Sequence, residues 1–382
     1  MATIKTGIIG TGFIGPAHIE ALRRLGYVEV VAVAERDTSL AEAKARELSI
    51  PKGYGDYRQL LADPEVQVVH NCTPNHLHFE VSKAIMAAGK HVISEKPLAM
   101  NSQQSSELVR LAAESGVVNA INFNYRYMPL VQQARAMCAS GACGRVFAVH
   151  GSYLQDWLLK ENDWNWRLEP AVGGDSRAVA DIGSHWCDLV QFVTGSKIVR
   201  VMADLVTVHP RRKRPKVEVE TYAGKVLKPE DLEEVPIGTE DYASVLLEFD
   251  NGSHGVMTVH QCAAGRKNRL QFEIDAEKCA LAWDQERPNE LWVGHRDRAN
   301  ELLLRDPSLL DASVREYAHY PGGHNEGWPD GPKNLFRNVY GHIAGERDGG
   351  DFATFEDGHN EIVICDAVLT SSRQRQWVEV QY

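Results

Sequence analysis

A glycine-punctuated turn near the start constrains this chain more than any other feature. The apolar run Gly7-Ile8-Ile9 leads into Gly10-Thr11-Gly12-Phe13-Ile14-Gly15, and Glu35 lies twenty positions after the last of these glycines. Gly10 permits a tight turn out of a strand, and Gly12 lets backbone amides approach a pyrophosphate. Gly15 allows close packing of strand and helix, while the helix N-terminus favours phosphate charge. Glu35 follows a second apolar strand, Val28 to Ala34, where a carboxylate can accept hydrogen bonds from an adenosine ribose. An ordinary strand-turn-helix does not require three such glycines and a correctly spaced acid. The pattern predicts a dinucleotide site.

The rest of the first third repeats the theme. Strands are expected at 4–9, 28–34, 66–71, 91–94 and 117–122, with helices near 16–25, 39–48, 79–88 and 102–115 between them. Repeated βαβ units with short loops imply a doubly wound parallel sheet. After Tyr125 the pattern changes. Helices near 130–140 and 182–194 accompany segments rich in β-branched residues at 145–154, 198–209, 243–250, 254–262, 269–276 and 280–283. Asp250-Asn251-Gly252 is a hairpin signal. Helices near 332–345 and 358–373 close the chain. The expected organisation is an N-terminal Rossmann domain over 1–124 and an α+β domain on an open, mostly antiparallel sheet over 125–382. A length of 382 residues suits two domains.

Composition excludes several functions. The net charge of −11 disfavours a nucleic-acid partner, which needs a basic face. Arg211-Arg212-Lys213-Arg214 is the exception, and the acidic stretch just downstream favours reading it as a solvated loop between strands. No stretch reaches the ~18 apolar residues of a membrane span. The N-terminus runs almost directly into the first strand, so a cytoplasmic location is expected. Seven scattered cysteines without a Cys-x-x-Cys pair read as free thiols.

Three constellations carry possible chemistry. Cys72-Thr73-Pro74-Asn75-His76-Leu77-His78 follows the third strand of the alternating unit, at the edge where ligands bind in open α/β sheets. Its side chains offer hydrogen bonds to a ribose or nicotinamide, and without a carboxylate or third ligand at metal spacing, no metal is expected. Glu95-Lys96-Pro97 ends the next strand, where a lysine near a cofactor can hydrogen-bond a substrate oxygen. Asp181 and His185, in Asp181-Ile182-Gly183-Ser184-His185, stand one helical turn apart. Spacing alone leaves two readings: a carboxylate orienting a general base, or an N-cap beside a packed histidine.

Together these motifs resemble the glucose–fructose oxidoreductase/inositol dehydrogenase (Gfo/Idh/MocA) family over nearly the whole chain. The resemblance implies NAD, with NADP also possible, because Glu35 should repel a 2′-phosphate that Arg36 could accommodate. It implies that Lys96 binds the reacting hydroxyl, that His185 is the general base, and that Asp181 binds a neighbouring hydroxyl or orients the base. Thr73, Pro74, Asn75 and His78 match the family's cofactor-lining loop. Candidate cofactor contacts are then Gly10, Gly12, Phe13, Ile14, Gly15, Glu35, Arg36, that loop, Glu95, Lys96, Asn124, Trp166 and Arg167. Arg126 belongs to an aromatic-arginine segment joining the domains. Tyr153, Gln155, Asp156 and Trp157, with Trp166 and Arg167, look similar to runs in levoglucosan-type dehydrogenases and mix ring faces with polar groups. They are candidate substrate contacts with Arg126, Asp181, His185 and His324, although one of Trp164 and Trp166 is expected in the core. Two departures stand out: Gly173-Gly174-Asp175, where a third glycine is common, and a long charged segment from His209 to Gly238.

The expected activity is NAD(P)-dependent oxidation of a secondary hydroxyl of a sugar, anhydrosugar or cyclitol. An NAD-dependent glycosidase, a non-catalytic nucleotide-binding regulator and an imine or enone reductase remain alternatives on the same scaffold. A homo-oligomer, dimer or tetramer, is expected through the open sheet.

Overall fold

The structure, a computed structural model, describes residues 3–216, 228–347 and 350–382. The chain begins β1 (Ile4–Ile9), α1 (Ile14–Arg23), β2 (Val28–Ala34), α2 (Thr38–Glu47), β3 (Lys52–Tyr54), α3 (Tyr57–Ala62), β4 (Val68–Asn71), α4 (Asn75–Ala87), β5 (His91–Ser94), α5 (Ser102–Ser115) and β6 (Asn119–Ile121). It continues with α6 (Pro129–Ala139), β7 (Val146–Leu154), α7 (Pro170–Gly173), α8 (Ser184–Thr194), β8 (Ile198–Val206), β9 (Arg211–Pro215), β10 (Leu232–Pro236), β11 (Tyr242–Phe249), β12 (His254–His260) and β13 (Arg269–Ala276). β14 (Ala280–Asp284), β15 (Glu290–Gly294), β16 (Glu301–Leu304), α9 (Asp330–Ile343), α10 (Phe355–Gln374) and β17 (Val378–Glu379) complete it.

Two compact units result. The first comprises Met1–Asn124, Ala171–Gly174 and Pro332–Ile362. Its sheet has six parallel strands in the order β3-β2-β1-β4-β5-β6, so the order reverses between β1 and β4. That is the doubly wound Rossmann arrangement. Local chemistry sets the helix ends: Asp37 caps α2 and Asn101 caps α5 by accepting the Leu40 and Gln104 N–H groups, and Gly116 ends α5 in the left-handed region. Residues from late in the chain finish this unit. The Ile121 N–H donates to the Ala353 carbonyl (2.9 Å), the Phe355 N–H donates to Asn119 Oδ1 (2.8 Å), and Phe355 is wholly buried in the core.

The second unit comprises Tyr125–Pro170, Asp175–Gly331 and Val363–Tyr382. Its nine-stranded sheet runs β16-β15-β14-β13-β7-β12-β11-β8-β17, antiparallel except for the β12–β7 pair. Strands such as β11 and β13 alternate buried and partly exposed residues, as a sheet with one covered face requires. Asp250-Asn251-Gly252 turns β11 into β12, with Gly252 at φ +81°. Trp186, Phe272 and Leu281 lie in the core.

The arginine run corrects the loop reading. Arg211–Pro215 is a strand paired with β10, and the Arg212 side chain is wholly buried against Asp241. Polar residues that alternate inward and outward escape a hydrophobicity pattern, and here the inward group is a charge that another element neutralises. The strands β3, β15 and β16 are likewise additions to the elements expected from sequence. Part of the 209–238 segment, 217–227, lies outside the described residues. All seven cysteines are free thiols. No helix among the described residues is long and apolar enough to cross a membrane.

Candidate active site

In the first unit the glycine turn has the geometry its residues demand. Gly10 adopts φ +89°, and a Cβ there would lie 2.6 Å from the Cys72 carbonyl oxygen. A Cβ on Gly15 would lie 2.3 Å from the Gly10 oxygen, whereas one on Gly12 would meet nothing within 4 Å. Space therefore opens over Gly12, at the N-terminus of α1, where no side chain caps the helix. Ile14 begins α1, and Phe13 just before it is exposed. Glu35 is half-buried, and its Oε1 accepts the Thr11 N–H (2.5 Å) and hydroxyl (2.7 Å). Arg36 is exposed beside Asp37.

The next two strand ends interlock. The Thr73 hydroxyl donates to Asn71 Oδ1 (2.7 Å), Pro74 precedes α4, and the Asn75 amide donates to the Gly173 carbonyl (3.0 Å). His78 is buried with Nδ1 2.6 Å from the Pro97 carbonyl and Nε2 2.7 Å from the Thr73 carbonyl. It thereby ties the Thr73-Pro74-Asn75 loop to the segment carrying Lys96. Burial pushes its pKa down, and the two carbonyls offset only part of that.

Glu95 turns inward, away from the role its sequence position suggests. Its Oε1 lies 2.9 Å from His18 Nε2 and accepts the Asn122 amide (2.5 Å). Burial alone would raise its pKa; the His18 hydrogen bond and charge, Asn122 and Lys96 together bring it down to about 2. The chain continues from His18 Nδ1 to His70 Nδ1 (2.8 Å), from His70 Nε2 to the Tyr340 hydroxyl (2.9 Å), and on to Thr6 Oγ1 (2.8 Å). Sequence reasoning missed this buried chain beneath Lys96. A histidine inside the apolar strand Val68-Val69-His70 was the available signal, because such a group requires buried partners. Asn124, which opens a 3₁₀ turn, is buried, and its Nδ2 has no hydrogen-bond partner.

In the second unit Asp181 is not an N-cap. It sits inside a π-turn, Val179–Gly183, that feeds directly into α8. Its Oδ1 accepts Arg167 Nε (3.1 Å), and its Oδ2 accepts Gln261 Nε2 (3.0 Å). His185 is buried, with the Tyr125 ring edge-on at 5.0 Å and the Tyr153 ring at 6.2 Å. Asn268 gathers the neighbours. Its Nδ2 donates to the Tyr125 hydroxyl (2.8 Å), while its Oδ1 accepts the Tyr153 hydroxyl (2.7 Å) and the Gln155 amide (2.9 Å). Gln155 is buried and its Oε1 makes no hydrogen bond. Sequence reasoning missed Gln261 and Asn268, since single amides at strand ends carry no periodic signal.

Other sequence candidates take different positions. Arg126 pairs with Asp188 (2.5 Å), and Asp156 with Lys267 (2.6 Å). Trp157 is half-buried, and Trp166 is half-buried with the Arg167 guanidinium 4.3 Å over its ring. Trp164 packs in a small core cluster with Leu158 and Leu168. His324 is exposed, and its carbonyl accepts Arg305 Nη2. One group of possible metal ligands comes together among the described residues, His150, Glu273 and Asp275; none of them belongs to the three constellations.

Comparison with known proteins agrees with this architecture. Residues 4–123 match the oxidoreductase family with an NAD-binding Rossmann fold, and residues 131–282 match the GFO/IDH/MocA C-terminal domain. The chain is 30% identical to levoglucosan dehydrogenase of Pseudarthrobacter phenanthrenivorans over 400 aligned positions, covering 100% of this chain and 99% of that protein. The crystal structure of an oxidoreductase domain protein from Kribbella flavida superposes with a TM-score of 0.89 at 31% identity, covering 100% of both chains. A levoglucosan dehydrogenase in complex with NADH and levoglucosan gives a TM-score of 0.89 at 28% identity, again over 100% of both. The chain is therefore an oxidoreductase of the Gfo/Idh/MocA family, built on an NAD-binding Rossmann fold.

Proposed function

We propose that the protein oxidises a secondary hydroxyl of a sugar or anhydrosugar, with levoglucosan the first compound to test. One observation carries the reading. The carboxylate of Asp181 is fixed from both sides one turn before His185, beside the Tyr125–Tyr153–Asn268–Gln155 cluster with its unsatisfied buried acceptor. A buried acceptor is costly unless something donates to it, and a substrate hydroxyl is a suitable donor. The ring faces of the tyrosines suit the apolar faces of a sugar. Full-length similarity to levoglucosan dehydrogenase supports the same class.

The residues fit a dinucleotide. The open space over Gly12, the uncapped start of α1, the Glu35 carboxylate and the unpartnered Asn124 amide would hold it. NAD supplies the hydride acceptor. The chain's own groups manage the proton: His185 takes it from the hydroxyl as the carbon becomes a carbonyl, and the Lys96 ammonium stabilises charge developing on that oxygen. Asp181 holds a neighbouring hydroxyl. Such acid–base help is typically worth ~10²–10⁴ in rate. NAD is the preferred cofactor, the location cytoplasmic and the assembly a homo-oligomer in this reading.

The test is NADH formation with levoglucosan, other anhydrosugars, sugars and cyclitols, for the wild type and Lys96→Ala. Turnover in the wild type, reduced roughly 10³-fold or more in the variant, is expected. Release of an aglycone from glycosides, or full activity in Lys96→Ala, overturns the proposal.

A further inference from the structure

The Asp181 carboxylate is held from behind by a network that reaches back to the arginine run. Arg177 has donors only, so the Gln261 group facing its Nη1 at 2.8 Å is the amide oxygen. That fixes the amide: Nε2 must face Asp181 Oδ2, and it lies 3.0 Å away. Arg177 is itself immobilised. Its Nη2 donates to Asp241 Oδ1 (2.5 Å), its Nε to Thr239 Oγ1 (3.1 Å), and its own backbone N–H to Glu240 Oε1 (2.8 Å). Asp241 Oδ1 also accepts Arg212 Nη2 (2.8 Å), and Asp241 Oδ2 takes the Val208 and His209 N–H groups. Arg177, Arg212 and Asp241 all have side chains with no solvent exposure.

Resting on the reading of Asp181 as a substrate-binding carboxylate, we infer that Gln261 is its positioning residue, with Arg177 setting the orientation of the Gln261 amide. Asp241 and Arg212 keep that arginine in place. The network gives Asp181 one pose, because turning the carboxylate would strand a buried amide donor. The groups near Asp181 include Arg167 from the 3₁₀ turn before α7, Tyr125 from the turn before α6 and Gln261 after β12, with His185 four residues further along on α8. Behind Gln261 stand Arg177, Glu240, Asp241 and His260. A donor to a carboxylate favours its charged form, so loss of Gln261 raises the pH at which Asp181 protonates.

The experiment follows the Asp181 carboxyl carbon by NMR across pH in the NAD-bound enzyme labelled at aspartate Cγ, with Asp181→Asn giving the assignment. In Gln261→Met the Asp181 midpoint is expected to rise by roughly one pH unit, the size of one hydrogen bond to a charged group. In Gln261→Glu it rises further, because the Arg177 contact is kept while two carboxyl groups meet and share a proton. In both variants kcat falls roughly ten- to hundredfold, more than KM rises, and the acid limb of the pH–rate profile moves up with the NMR midpoint. In the wild type, the Gln261 side-chain amide resonance titrates with the Asp181 midpoint, a readout that needs no variant to fold. An Asp181 midpoint unchanged in the variants, or a Gln261 amide indifferent to it, overturns the inference. A midpoint that moves as expected in an enzyme inert toward every sugar upholds the network and overturns the proposed substrate instead.

Discussion

Glu35 shows how one carboxylate can shape both a loop and a preference. By holding the Thr11 N–H and hydroxyl on Oε1 it pins the glycine turn, and in the proposed cofactor reading its negative charge would oppose a 2′-phosphate. The expected outcome is tighter binding of NAD than of NADP, by roughly tenfold or more, and a narrower gap in Glu35→Ala. Titration of both cofactors by fluorescence measures it; preference for NADP in the wild type contradicts it. At this scale the sequence was legible where chemistry forces a residue type. The backbone at Gly10, at φ +89° and close to the Cys72 carbonyl, leaves no room for a side chain, and that turn was readable from the glycine spacing. Gln261, Asn268 and His18 were not legible, since what they do depends on partners far away in sequence: Gln261 lies eighty residues from Asp181.

Among the elements, β4 carries a penalty that pH exposes. Burial first, then the neighbouring His18, holds the His70 pKa well below its ordinary 6.5. Unfolded His70 takes up a proton near pH 6.5 and the folded residue does not, so its contribution is complete above that pH and is lost progressively below it. His78 on α4 acts in the same direction. The free energy of urea unfolding should therefore fall as pH drops from 7.5 to 5.5, with His70 approaching about 1.4 kcal/mol per pH unit below 6.5 and His78 adding to the loss. Glu95, with its pKa near 2 when folded, adds a further loss between about pH 4.5 and pH 2. Stability that stays flat from pH 7.5 to 5.5 would contradict this account. Elements built on apolar periodicity, such as β2 and α8, were readable from sequence. The strand β9 was not, because its inward residue is an arginine whose neutralising partner, Asp241, is invisible to periodicity. The π-turn at Asp181 was also hidden: Asp181-Ile182-Gly183 reads as a helix start, and its distant partners Arg167 and Gln261 leave no mark on the local pattern.

For the whole molecule, the nine-stranded sheet leaves apolar residues in solvent on one face. Met202 and Val256 flank Leu246 in register, and Leu302 and Leu304 lie further along the same sheet; all are at least 37% exposed. A row of that kind is a candidate interaction surface, and a second copy of the chain would offer the same row in return. Light scattering at micromolar concentration should give a multiple of 42.5 kDa, and Leu246→Lys should reduce it. A monomeric mass in the wild type would rule this out. The two-part fold was legible from the switch between alternating and hairpin patterns.

The route of the chain through the first unit was not. The Rossmann sheet is closed by Ala353, Phe355 and the hydroxyl of Tyr340, all more than two hundred residues downstream of β6. Nucleotide-binding modules are often treated as cassettes that genes can exchange. Here a transplanted segment ending at Asn124 would leave behind the hydrogen-bond partners of Ile121 and Thr6. Recombination that keeps the fold must carry two distant stretches of gene together, which ties the inheritance of this nucleotide site to that of the sheet encoded between them.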